Sequence, residues 1–312
     1  MPRPNTRLLR WLAGTCAALA LAGCDRSGPA PVASGASVRG PRFHVVAAEN
    51  FWGSIAAQLA GTRATVTSII VNPETDPHSY QPSASDARTI ANSNMAIVNG
   101  VGYDEWARQL LAASASPSRV VLDVGQLLHL PEGSNPHRWY FPADVLAVVG
   151  AIVSDYERLD PADAAYFAAR REAFLDGGLA RYRQLIAQIR ERYAGTPVGY
   201  SESIFQGLGQ ALGLRLRTPY SFVRAIAEGT DVTAQDKETV DHQAEARDID
   251  VWVLNSQNVT PDVQRVDEIA RARGIPIATI TETLDPPRDS FQQWQVSELE
   301  GIERALERGT AR

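Results

Sequence analysis

A helical stretch of more than thirty residues near the middle of the chain limits its architecture more than any other feature. "DPADAAYFAARREAFLDGGLARYRQLIAQIRERY", from about Asp160 to Tyr193, carries apolar residues at helical spacing and abundant Ala, Arg and Glu. Gly177 and Gly178 dent the pattern, so it predicts one long helix or two helices in line. On either side the pattern changes to short apolar, β-rich runs alternating with helical segments. "FHVVAAE" (43–49), "ATVTSII" (64–70), "MAIVNG" (95–100) and "RVVLDV" (119–124) precede it; "TPVGYSES" (196–203), "DIDVWVLNS" (248–256) and "IPIATIT" (275–281) follow. Buried apolar strands alternating with helices indicate parallel sheets built from βα units. The expected fold is α/β: two lobes with mostly parallel sheets, at 43–155 and 195–312, joined by one long helix over 156–194. Ser83 followed by Asp86 has the shape of a helix-opening capping box, and a last helix is expected from about Ser290 to Arg308.

The first 42 residues are of another kind. Arg3, Arg7 and Arg10 precede the apolar run "WLAGTCAALALAG", which ends at Cys24. That length suits a signal segment and falls short of the roughly 20 residues a spanning helix needs. "LAGC" at 21–24 resembles the lipobox of bacterial lipoproteins, in which the signal (here 1–23) is removed and the exposed cysteine, here Cys24, is lipidated. Residues 24–42, small, polar and rich in Pro and Gly, read as a flexible tether. Asp25 resembles an inner-membrane retention signal. The expectation is a protein lipid-anchored to the cell envelope of a bacterium, facing the periplasm or exterior. Cys16 leaves with the signal, so no disulfide or thiolate metal site remains. Net charge is −6 for the whole chain, and without residues 1–23 it is −9, from 27 basic against 36 acidic side chains. Such a surface repels nucleic acid.

The five histidines are distributed unevenly in context. "NPETDPHSY" (72–80) places His78 in a Pro-His loop, and "NPHRWYFP" (135–142) places His137 in a second one, each beside aromatics and followed by a helical segment. In doubly wound α/β domains ligands collect outside the carboxyl ends of the strands, where two such loops can converge. Taken singly, each is more often an ordinary surface-loop histidine than a ligand. His44 lies in a strand pattern, His129 sits between leucines and His242 occupies a charged helical stretch, so these are weaker candidates. Two imidazoles do not hold a divalent metal tightly, and carboxylates are expected to complete the site. Glu202 in "GYSESIF" and Glu282 in "ATITETLDPP" stand where strands run out, with Asp285 three residues beyond Glu282. Each is also a plausible solvated loop acid. A metal bound between the halves would need both lobes.

These segments resemble a known family, the ZnuA/TroA-like (cluster A-I) solute-binding lipoproteins of bacterial zinc and manganese ABC importers. "DPHSYQPSASDARTIANSNMAIVNGVGYDEWA" is similar to the family's first ligand loop and the βα unit after it. "NPHRWYFP" is like its "DPHxWxDP" motif, "YSESIFQGLGQALGL" like its third-ligand segment and "IPIATITETL" like its fourth. The likeness runs from Phe43 to the end of the chain. It implies two α/β lobes joined by a rigid long helix, with a divalent ion in the cleft. It carries the four metal ligands onto His78, His137, Glu202 and Glu282. The family usually has Asp at the fourth position, so Asp285 stays an alternative to Glu282. "FP" at 141–142, where the family often has "DP", removes an acid beside the ligands.

A site with four protein ligands closes around an ion and leaves no position for substrate, which is the logic of capture and delivery. Two nitrogens and two carboxylates suit Zn²⁺, with Mn²⁺ as the alternative. The expected function is a metal receptor that delivers its ion to the membrane permease of an ABC importer, acting as a monomer and not as an enzyme. Three other readings compete. A metal-dependent hydrolase could use the same cluster with an open water site, although no H-E-x-x-H or comparable motif is present. "GYSES" (199–203) lacks the final glycine of a nucleophile elbow. A surface-adhesin role leaves no trace a sequence can test. "NVT" at 258–260 fits a glycosylation sequon that is incidental in a bacterial lipoprotein.

Overall fold

The computed structural model describes residues 40–75 and 77–311, apart from the side chain of His78. The signal segment, Cys24 and nearly all of the tether lie outside the described residues. In the first lobe four parallel strands, β1 (Phe43–Glu49), β2 (Ala64–Ile70), β3 (Met95–Val98) and β4 (Val120–Asp123), lie in the order β2-β1-β3-β4. Around them are α1 (Asn50–Ala60), α2 (Ala84–Ala91), α3 (Glu105–Ala113), α4 (Val124–Leu127) and α5 (Pro142–Leu159). The second lobe repeats the pattern. Its strands β5 (Pro197–Tyr200), β6 (Arg215–Leu216), β7 (Val251–Asn255) and β8 (Ile277–Ile280) are parallel in the order β6-β5-β7-β8. They are accompanied by α8 (Gln206–Ala211), α9 (Tyr220–Ala227), α10 (Ala234–Glu245), α11 (Pro261–Ala272) and α12 (Phe291–Thr310). The expected α/β architecture of two parallel-sheet lobes is therefore present. β6, only two residues long, carries no sequence signature and was not expected.

The connection between the lobes is helical but not uniform. α6 (Ala164–Ala173) and α7 (Ala180–Tyr193) are joined through a single π-helical turn, Phe174–Gly178, where Gly177 and Gly178 fall. Tyr156 to Leu159 close α5, and Asp160–Pro161 separates that helix from the connector, since proline has no N–H to continue the ladder. Local chemistry sets other boundaries as the sequence predicts. The hydroxyl of Ser83 accepts from the N–H of Asp86 at 3.2 Å, and the N–H of Ser83 donates back to Asp86 Oδ2 at 2.7 Å. Ser290 and Gln293 cap α12 in the same reciprocal way. Among the described residues no helix is long and apolar enough to cross a membrane.

Contacts between the lobes are apolar as well as polar. The ring of Phe141, with the Arg138 guanidinium 3.7 Å above it, covers Gly207 on α8. A Cβ at Gly207 would fall 2.6 Å from Cγ of that ring, so Gly207→Ala is expected to force the two lobes' packing apart locally. Overpacking of this kind costs about 1–3 kcal/mol, read as a lowered midpoint in thermal unfolding. An unchanged midpoint would mean that the lobes are not held by this contact.

Candidate metal centre

Glu202, Asn255 and Glu282 stand at or just past the carboxyl ends of β5, β7 and β8, three adjacent strands of the second sheet. His137 stands in the loop that follows β4 and α4 of the first lobe, immediately before a short 3-10 turn, Arg138–Tyr140. The fold brings three of these side chains to one point. Nε2 of His137 lies 3.4 Å from Oε1 of Glu202 and 3.4 Å from Oε2 of Glu282. One ligand atom from each residue lies within 4.8 Å of the others, and all three side chains are buried. The rings of Tyr103 and Trp139 pack nearly perpendicular to the imidazole, at centroid separations of 5.9 and 5.3 Å.

Burial dominates the electrostatics. It pushes the Glu202 carboxyl up to about 8, with the charge of Glu282 adding to the rise. It pulls His137 down to about 4, against the opposing attraction of Glu202. The imidazole is thus neutral and presents a lone pair, while two carboxyls repel each other in a dry pocket. Oε1 of Glu202, the oxygen nearest the imidazole, makes no hydrogen bond among the described residues. Ionising these desolvated carboxyls beside a neutral imidazole is costly without a cation to compensate the charge. The donor set fits a divalent metal ion.

Three residues that sequence reasoning did not single out orient this cluster. The amide of Asn255 gives one Nδ2 hydrogen to Glu202 Oε2 at 2.5 Å and the other to Glu282 Oε1 at 2.8 Å. Tyr103 donates its hydroxyl to Glu282 Oε2 at 3.0 Å. Asn135 Oδ1 lies 3.0 Å from the His137 N–H and 2.8 Å from its Nδ1. Its own Nδ2 donates across to Ser203 O at 2.7 Å and Gln206 Oε1 at 2.9 Å, which fixes the direction of the amide. The hydrogen of His137 therefore sits on Nδ1, so Nε2 carries the lone pair that ligates. Asn135 opens the quoted "NPH" motif, Asn255 ends an otherwise apolar strand and Tyr103 lies in the quoted "NGVGYDEWA" stretch, so all three left a sequence trace. Asn135→Ala and Asn255→Ala are each expected to weaken cation binding by about 10–100-fold, the range for residues that orient ligands. Competition against a chelator measures it, and a change below twofold in both would show that the ligands orient themselves.

The remaining candidates are placed differently. The backbone of His78 lies in the short 3-10 turn Pro77–Ser79, past the carboxyl end of β2; its side chain is outside the described part. Asp285 is exposed and lies outside the cluster. His44 Nε2 is 3.0 Å from Thr67 Oγ1, and His129 and His242 are exposed. A cavity of about 880 Å³, lined by Ser79, Tyr103 and Pro136 from one lobe and by Glu228 and Asn258 from the other, adjoins the cluster at Tyr103.

Comparison with known proteins adds an independent line. The sequence model of the family described as "Zinc-uptake complex component A periplasmic" matches residues 45–305. The "Manganese-binding lipoprotein MntA" of Halalkalibacterium halodurans is 28% identical over 206 residues, covering 63% of this chain and 65% of that protein. The "Iron-binding protein YfeA" of Yersinia pestis is 27% identical over 185 residues, 56% of this chain and 58% of that one. The chain thus spans slightly less than two thirds of the length of these relatives. Among solved structures, a Mn-bound mutant of the periplasmic metal binding protein from Candidatus Liberibacter asiaticus superposes with a TM-score of 0.70. It is 17% identical and covers 85% of this chain and 100% of that chain. The SBP FpvC from P. aeruginosa in complex with Ni²⁺ gives 0.69 at 22% identity, over 87% and 99% of the two chains. These structural likenesses establish a shared fold.

Proposed function

This chain belongs to the family of periplasmic A components of zinc-uptake complexes, and from that premise we propose that it is an extracytoplasmic receptor for a divalent metal ion. It captures the ion between its two lobes and delivers it to the permease of an ABC importer. The observation that carries this is the convergence of buried His137, Glu202 and Glu282 from opposite lobes on one point. His78 is proposed as the fourth ligand. The set of two imidazoles and two carboxylates leaves no open position for water, which is why the protein is read as a receptor and not as an enzyme.

The ion is proposed to be Zn²⁺, with Mn²⁺ the alternative. Carboxylates harden the site toward manganese, whereas the Irving–Williams order favours zinc. Relatives named for manganese and iron support a choice within this group of cations. Anchoring through lipid on Cys24, a tether over 24–42, lobes at 43–155 and 195–312 and action as a monomer complete the proposal. The deciding experiment is metal content by mass spectrometry, with competitive titration of Zn²⁺ and Mn²⁺, on protein lacking residues 1–24 and on its His78→Ala variant. One tightly held ion per chain, weakened in the variant, supports the reading. No bound ion at all sinks it.

A further inference from the structure

Glu298, on α12, is a buried carboxyl that the proposed site does not use. Its Oε1 accepts the N–H of Thr281 at 2.9 Å and lies 3.1 Å from Thr281 Oγ1; its Oε2 lies 2.5 Å from the hydroxyl of Tyr140. Tyr140, itself fully buried, also reaches Thr281 O at 2.9 Å. Thr281 Oγ1 accepts from Trp294 Nε1 at 2.8 Å and lies 2.8 Å from Thr283 O. All three polar groups of Thr281, the residue before Glu282, are thereby held. The holder from the first lobe is Tyr140, three residues after His137.

Counting hydrogens decides how these groups pair. The single hydroxyl hydrogen of Tyr140 faces two acceptors, Thr281 O and Glu298 Oε2. That of Thr281 also faces two, Thr283 O and Glu298 Oε1. An ionised Glu298 would be a buried anion whose stabilising groups are hydrogen bonds, with no basic side chain among them, a costly arrangement. A hydrogen on Oε2 resolves the count. Glu298 donates to Tyr140, Tyr140 donates to Thr281 O, and Thr281 donates to Thr283 O. Burial raises the carboxyl of Glu298 to about 8, in the same direction.

We propose that the neutral acid of Glu298 and the hydroxyl of Tyr140 form a lobe-to-lobe latch that sets the position of Glu282 for cation capture. The latch rests on the receptor function proposed above, and both residues act as positioning groups that do not touch the ion. Tyr140 and Thr281 belong to the two segments that carry His137 and Glu282, so the latch fixes the distance between ligands of opposite lobes. Ligand-orienting contacts of this kind are worth about 10–100-fold in metal affinity.

The test compares wild type with Tyr140→Phe, Glu298→Ala and Glu298→Gln, using Zn²⁺ affinity by chelator competition, Zn²⁺ release by stopped flow and infrared spectra of the cation-free proteins. Tyr140→Phe and Glu298→Ala are expected to bind about 10–100-fold more weakly, chiefly through faster release. Glu298→Gln is expected to recover most of what Glu298→Ala loses. Its NH₂ donates to Tyr140 and its carbonyl accepts from Thr281. In difference spectra against wild type, one protonated-carboxyl band should be lost in Glu298→Gln and shifted in Tyr140→Phe, apart from the band of Glu202, which is also protonated in the cation-free protein. Unchanged affinity and release in Tyr140→Phe overturns the latch, as does Glu298→Gln binding no better than Glu298→Ala. If Glu298→Ala does not fold, Tyr140→Phe and the band decide alone. If wild type binds neither Zn²⁺ nor Mn²⁺, the receptor reading fails. The band's absence or its insensitivity to Tyr140→Phe separately overturns the hydrogen-bond assignment.

Discussion

Glu202→Gln is expected to remove tight cation binding while leaving the cation-free protein at least as stable as wild type. The two effects have one source. Glu202 and Glu282 are buried carboxyls, each 3.4 Å from His137 Nε2, and two charges in that dry pocket would repel, so Glu202 is held neutral until a cation arrives. A neutral amide stands in for that neutral acid and still offers an oxygen to Asn255 Nδ2, the present partner of Glu202 Oε2. Its NH₂ then points at His137 Nε2 and occupies the lone pair a metal would use. Losing one charged partner from a buried cluster typically costs about 3–5 kcal/mol, or roughly two to three and a half orders of magnitude in affinity. Thermal unfolding with and without Zn²⁺ separates the parts, because stabilisation by a ligand follows its occupancy. A cation-dependent rise in midpoint equal to that of wild type would remove Glu202 from the site.

Acidification is expected to release the ion well before the histidine titrates. The Glu202 carboxyl is raised to about 8 by burial and by Glu282, whereas His137 is lowered to about 4 by burial. A raised carboxyl holds its proton below about pH 8, and the cation must displace that proton to bind. Affinity therefore falls as pH drops below 8, by about tenfold per unit for one displaced proton, so roughly a thousandfold by pH 5. His137 adds to the loss only near pH 4, since it stays neutral above that. The sign for folding of the cation-free protein runs the opposite way. A carboxyl whose folded pKa lies above its unfolded value favours the folded state at low pH, and that stability is lost as pH rises from about 4 to 8. Calorimetric titration at pH 7 in buffers of different ionisation enthalpy should report close to one proton released per ion, and almost none at pH 9. No buffer dependence at pH 7 would mean that the carboxyls are already ionised in the empty site.

The fold was largely legible because its signals are local. Apolar runs of β-branched residues marked seven of the eight described strands, and the missing one, Arg215–Leu216, is too short to hold a period. The capping pair Ser83 and Asp86 and the glycines of the connector act within one or two turns, so their effect could be read in place. The candidate site was legible only as residue types at strand ends. His137, Glu202 and Glu282 carried that signal, but Asp285 carried the same signal and is exposed. "FP" at 141–142 suggested a missing acid beside the ligands; Asn135 supplies an oxygen to the imidazole from the other end of the motif.

The sequence by itself determined the kinds and order of elements, the two-lobe plan and the residue types available to a cation, since each depends on neighbours within a few positions along the chain. Only the tertiary structure decided which of those residues meet. Convergence of side chains from two sheets depends on how the carboxyl edges of both sheets pack, and no local period encodes that. The same packing removed water from Glu202, His137 and Glu298, and desolvation moved their proton affinities. A carboxyl reads as the same letter whether it is solvated or dry, and only its surroundings make it a latch, a ligand or a loop acid.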